Sequence, residues 1–175
     1  MKGIKYIITK KGEKMKTIKF QNPETGKMES KTIAITDIQL QQIEKESQPI
    51  LADDKIQQLL DNMDISAEMK VLLDKIKNFT ITFGNKVIKI GKKVIEFLIG
   101  IYLKYPNTVK GAILGTILGF LLSSIPIIGV LFSWAIPLLA IIGAAKGFFE
   151  DSNKGIQNSI SNLINEMFKS WKEIK

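Results

Sequence analysis

The sequence predicts a predominantly α, α+β membrane protein. It would have a small N-terminal β-meander, then amphipathic helices, a two-helix transmembrane hairpin and a C-terminal amphipathic helix. Three observations predict it. Apolar residues alternate with polar ones in three short runs before residue 36, 35 uncharged residues separate Lys110 from Lys146, and apolar positions flanking that run recur at helical spacing. The segments follow from these patterns: a β-rich part at 1-36, an acidic helical linker at 37-64, basic amphipathic helices at 65-108, the hairpin at 109-147 and a last helix at 152-175.

In the first segment "IKYIIT" places Ile4, Tyr6 and Ile8 on one face, "KTIKF" sets Ile18 and Phe20 two apart, and "KTIAIT" repeats this with Ile33 and Ile35. "KKGEK" and "NPETGK" supply the turns, giving a three-stranded meander. Met15 is an alternative start, from which one hairpin remains. The N-terminus has lysines but only a short apolar patch and no small-residue cleavage site, so it does not read as a signal peptide.

The linker reads as two short helices, one capped by Asp37 and ended by Pro49, the other capped by Asp53 with Ile56, Leu59, Leu60 and Met63 on its apolar face. Its aspartates, Asp53, Asp54, Asp61 and Asp64, read as caps and a solvated face, because no compact loop with metal-ligand spacing holds them. Ser66 caps a third helix with Met69, Leu72, Ile76 and Phe79 on one side. After the turn-like "TFGN" comes "NKVIKIGKKVIEFLIGIYLKYP", with Val87, Gly91, Val94, Leu98 and Ile101 on the apolar side. Lys86, Lys89, Lys93 and Glu96 run down the other side. A lysine-faced apolar helix fits a membrane interface, and the competing reading is the core of a helical bundle.

The uncharged run is too long for one span of about 20 residues and suits two. "SSIPIIG" breaks it near Pro126 and Gly129, so the spans fall at about 109-125 and 128-146, with a kink expected at Pro137. Lys104 and Lys110 stand at the outer end of the first span, Lys146 and Lys154 at the outer end of the second, and no lysine lies in the turn between them, which places both termini on the cytoplasmic side of a bacterial inner membrane. Gly111, Gly115, Gly119 and Ser123 line one face of the first span as a glycine zipper, answered by Ala140, Gly143, Ala144 and Gly147 in the second. In lipid such small-residue faces permit close helix packing, within the hairpin or with another copy. Trp134 falls mid-span, and the last helix carries Ile156, Ile160, Leu163, Ile164, Met167, Phe168, Trp171 and Ile174 at helical spacing. Lys86, Lys89, Lys93, Lys104, Lys110, Lys146 and Trp171 are the candidate membrane-surface residues.

Charge and composition narrow the function. All 25 basic residues are lysine against 17 acids, a net charge of +8, which favours an anionic partner such as a lipid surface. The chain has neither cysteine nor histidine, which removes disulfides, thiolate sites, histidine bases and the usual zinc ligands. No phosphate loop or nucleophile elbow occurs, so the expectation is a non-enzyme with no metal and no cofactor. The absence of arginine disfavours nucleic acid.

The resulting expectation is a small prokaryotic or phage membrane protein that self-associates through the glycine-rich hairpin and perturbs or permeabilises the membrane, as a holin, toxin or defence effector does. Its partners would be an anionic bilayer, further copies of itself and an unidentified protein at the N-terminal segment. The arrangement is similar to the hydrophobic hairpin of pore-forming toxins, without a motif that identifies a family. Two alternatives stand beside it: a membrane anchor or adaptor tethering an interaction domain, and a soluble helical protein that buries the hairpin until triggered.

Overall fold

The computed structural model describes residues 12–106, 111–141, 154–172 and 174. Lys14–Gln21 (β1) and Met28–Ile35 (β2) form an antiparallel hairpin from Lys14↔Ile35 to Gln21↔Met28. Its turn is held by Asn22, whose Oδ1 accepts from the backbone of Glu24 and Thr25, and by Gly26 at φ +68°. The predicted strand over residues 4–8 lies outside the described residues.

Two further strands complete the sheet. Ile81–Phe83 (β3) and Lys86–Ile88 (β4) flank Gly84, whose φ of +56° favours glycine, and the order is β2-β1-β3-β4, antiparallel throughout. One face carries the predicted Ile18, Phe20, Ile33 and Ile35, joined by Ile81, Phe83 and Ile88, all buried. The other carries Thr17, Lys19, Ser30, Thr32 and the exposed Met15 and Met28.

Between β2 and β3 run Asp37–Glu46 (α1), Asp53–Asp61 (α2) and Ala67–Lys77 (α3). The cap of α1 is Thr36 rather than Asp37: Thr36 Oγ1 accepts from the Gln39 amide while the Gln39 side chain accepts from Thr36 N–H. Asp37 is left free to pair with Lys14 and Lys16, and the hydrogen bond from Lys16 first, then that from Lys14, holds its carboxyl below the ordinary carboxylate range. Ala52, not Asp53, occupies the cap of α2 and makes no side-chain bond. Ser66 caps α3 as expected. Ile56, Leu60, Met63, Met69, Leu72, Ile76 and Phe79 are buried where their spacing placed them.

Ile90–Lys104 (α4) follows β4, so Lys86 and Val87 belong to a strand, and Val87 is exposed. The apolar run becomes Gly111–Ser124 (α5), Pro126–Leu131 (α6), a 3-10 turn at Ser133–Ala135 and Ile136–Ile141 (α7). Lys154–Met167 (α8) and a 3-10 turn at Lys169–Trp171 close the chain. The result is a small α+β fold, with eight helices and a four-stranded sheet among the described residues.

This corrects the transmembrane reading. Among the described residues no helix is long and apolar enough to cross a membrane. Among the described residues the second predicted span is broken within itself, six residues of α6 being followed by a 3-10 turn before α7, and the 14 described residues of α5 run about 21 Å against about 30 Å of hydrocarbon. Pro126 starts α6 at its first turn, where its missing N–H costs nothing, and a 3-10 turn separates α6 from α7. The transmembrane hairpin, the pore-forming reading that rested on it and the integral inner-membrane placement fall together. The lysine-faced interfacial helix is corrected as well, because α4 has no open polar face along its first ten residues: Lys92, Lys93 and Glu96 are all buried.

Candidate functional site

The site is built outward from α4. Ile90, Val94, Ile95, Phe97, Leu98, Ile99 and Ile101 are buried on all sides of it, so α4 is a core post rather than a surface helix. Its N-terminal end crosses α3 at backbone contact. A Cβ on Gly91 would lie 1.7 Å from the Ile76 carbonyl oxygen and 2.9 Å from that of Phe79, which already accepts from the Gly91 N–H at 3.0 Å.

Polar side chains of α4 reach into the acidic linker. Glu96, 7% exposed, accepts through Oε1 from the backbone amides of Ile50 and Leu51 at 2.7 and 2.8 Å. The Lys92 amine pairs with Asp53 at the start of α2, and this hydrogen bond is the main reason the Asp53 carboxyl sits below its ordinary range. Tyr102 Oη accepts from the Asp64 amide. Lys86 pairs with Glu44. Side chains of the neighbouring blocks thus fasten the backbone of the acidic block and one of its carboxylates, while Asp53, Asp54, Asp61 and Asp64 all remain exposed, the solvated face that spacing suggested.

The apolar segment docks on this core. Leu114, Ile117, Leu118, Leu121, Ile125, Ile128, Leu131, Phe132 and Ala135 are fully buried. A run of rings anchors it: Phe20 of β1 lies 5.6 Å from Phe79, which lies 4.8 Å from Phe132 and 5.9 Å from Trp134. Edge and tilted stacking at these distances is the favoured geometry for aromatic pairs. Trp134, expected at mid-span, is thus the interior key of the segment. Its Nε1 is buried with no hydrogen-bond partner among the described residues.

The outer side of the same segment is uncharged. Ser123, Pro126, Val130, Ser133, Ile136, Pro137 and Ala140 are exposed, Val130 by 44% and Ile136 by 52%, and Thr116, Phe120 and Leu138 are half-buried. Ser123 and Ser124 both turn their hydroxyls back onto the Phe120 carbonyl, at 2.9 and 2.7 Å, and so satisfy the end of α5 internally. What faces outward over residues 114–140 is apolar carbon, small residues and backbone, with no ionic group.

The predicted small-residue groove is divided. Gly115 is buried, while Gly119 is half-buried with nothing within 4 Å of where its Cβ would be, and Ser123 is exposed. Ala140 is exposed. Gly111 begins α5, and Gly143, Ala144, Gly147, Lys110 and Lys146 lie outside the described residues. Close backbone approach is seen at Gly91 and at Gly129, whose Cβ would stand 2.5 Å from the Leu122 carbonyl oxygen. Neither belongs to a regular small-residue repeat, and the only trace in the sequence is a glycine inside an otherwise apolar helical pattern.

The candidate surface residues scatter. Lys86 is on β4, Lys89 precedes α4, Lys93 is nine-tenths buried and Lys104 lies over the Tyr105 ring at the exposed end of α4. Trp171, 1% exposed, sits in the core beside Phe168, which meets Phe97 of α4 edge-on, and Ser170 Oγ donates to Glu46 Oε1 at 2.9 Å. The last helix thereby straps α4 to α1. Compared with known proteins, the chain matches no protein-family model, no curated protein and no solved structure.

Proposed function

We propose that this protein acts at lipid surfaces, holding the uncharged segment 111–141 folded against its core and applying or releasing that segment to a bilayer when triggered, with disturbance of the bilayer as the result. One observation carries the reading: a segment without a single charge packs its inner side, through Phe132 and Trp134, on the Phe79 ring and presents Val130, Ile136 and Pro137 outward. A globular chain with 24% charged residues has no packing reason to keep charge off the exposed side of so long a segment, whereas a lipid-directed face has one. The surplus of lysine adds attraction to anionic headgroups.

The test uses the full chain and vesicles of phosphatidylglycerol and phosphatidylcholine loaded with a self-quenching dye. The expected result is flotation of protein with the vesicles and dye release that rises with the anionic fraction. Val130→Lys and Ile136→Lys, at exposed positions that leave the core intact, should each reduce both signals several-fold. Vesicles that stay intact and float without protein at high protein load, over neutral and mildly acidic buffers, would sink the proposal.

A further inference from the structure

The strand β2 is an edge. It pairs along its length with β1, and among the described residues nothing pairs with its other side. Met28, Ser30, Lys31 and Thr32 are exposed, Met28 by 68%, and Glu29 is half-buried. An open edge of this length is a template for another strand, and which strand it accepts depends on what its side chains oppose.

We infer that the occupant is β2 of a second copy, antiparallel and centred on Ser30. Residues directly opposite each other in an antiparallel pair point to the same side of the sheet, so a two-fold pairing must be centred on a residue to keep the faces in phase. Glu29 and Lys31 both lie on the core-facing side, opposite Phe20 and Ile18 of β1. Centring on Lys31 brings two lysines together, and centring on Glu29 brings two glutamates together. Centring on Thr32 sets Lys31 against Ile33 and Glu29 against Ile35. Centring on Ser30 alone sets Glu29 of each copy against Lys31 of the other, twice, and lays the exposed Met28 over Thr32 on the outer face. Glu29 is already oriented, because Asn22 Nδ2 donates to its Oε1 at 2.7 Å and leaves Oε2 for the second chain. Lys31 opposes a lysine in the registers centred on Glu29 and Lys31, an isoleucine in that centred on Thr32, and a glutamate in this one.

The pairing joins two four-stranded sheets into one of eight and has the closed two-fold symmetry of an isologous dimer. Its small contact area makes it a weak, concentration-dependent association. It is independent of the lipid-directed reading, since it uses the opposite part of the chain and no residue of 111–141.

Sedimentation equilibrium of the full chain over a wide concentration range tests it, with circular dichroism confirming that each variant is folded. Wild type should show a monomer–dimer equilibrium. Lys31→Glu should weaken it at least about tenfold by opposing two pairs of glutamates, and Glu29→Lys should do the same with lysines. An equimolar mixture of the two single variants should dimerise, and so should the double reversal Glu29→Lys with Lys31→Glu. A wild-type chain that stays monomeric throughout, or a dimer indifferent to these reversals, would overturn the inference.

Discussion

Gly91 and Gly119 are the same residue in opposite circumstances. At Gly91 a methyl group would collide with backbone atoms at 1.7 Å, and α3 and α4 would have to part to admit it, whereas at Gly119 it would meet nothing within 4 Å. Gly91→Ala should therefore cost about 3 kcal/mol or more, the upper end for an overpacked core. Gly119→Ala should be neutral or stabilise by up to about 1 kcal/mol, through the better helix propensity of alanine. Urea denaturation of the two variants checks the contrast, and equal losses at both would mean that the Gly119 face is filled. The regular spacing of Gly111, Gly115 and Gly119 does not by itself mark the tightest contacts, because spacing says which residues share a face but not what that face meets.

At the scale of elements, α4 and the acidic linker explain each other. A helix with lysine and glutamate on one side can owe them to solvent or to partners elsewhere in the chain, and Lys92 with Asp53 and Glu96 with the Ile50 and Leu51 amides belong to the second kind. The turn from α1 to α2 follows Pro49 and exposes Ile50 by 83%, so little apolar burial holds it there. Glu96 is its main fastening. Glu96→Ala should destabilise the protein by about 1–3 kcal/mol, because two backbone donors lose a charged acceptor inside the fold. Hydrogen exchange should localise the effect: the Ile50 and Leu51 amides should lose protection well before the amides of α3. Unchanged protection at those two positions would show that water replaces the carboxylate without loss.

For the molecule as a whole, one hydrophobic cluster joins the sheet, α4, the apolar segment and the C-terminal strap. Trp134 and Trp171 sit at the two docking points, 8% and 1% exposed, and are the only tryptophans. In urea, Trp171→Phe leaves Trp134 to report the apolar segment, and Trp134→Phe leaves Trp171 to report the strap. A single cooperative core predicts that each emission shift coincides with the loss of helix signal in the same variant. A Trp134 transition that precedes the loss of helix would instead show segment 111–141 leaving the core as a separate unit.

The chain states its local structure openly. The hairpin of β1 and β2, the helices from Asp37 to Lys77, the Ser66 cap and the apolar stripe of the last helix are legible because alternation, 3.6-residue spacing and capping residues act over a few neighbours. Charge distribution likewise marks 111–141 as a segment apart. Three things were decided by packing across the chain. The strands β3 and β4, three residues each, exist because β1 offers them an edge. Glu96 Oε1 and the Lys92 amine of α4 find their partners in a linker some 40 residues away in sequence, Glu96 binding the Ile50 amide across 46 positions. The uncharged run lies in short broken helices against Phe79 rather than spanning lipid, since aromatic rings already in the core offer its inner side a surface as apolar as a bilayer, and hydropathy cannot tell burial in protein from burial in lipid.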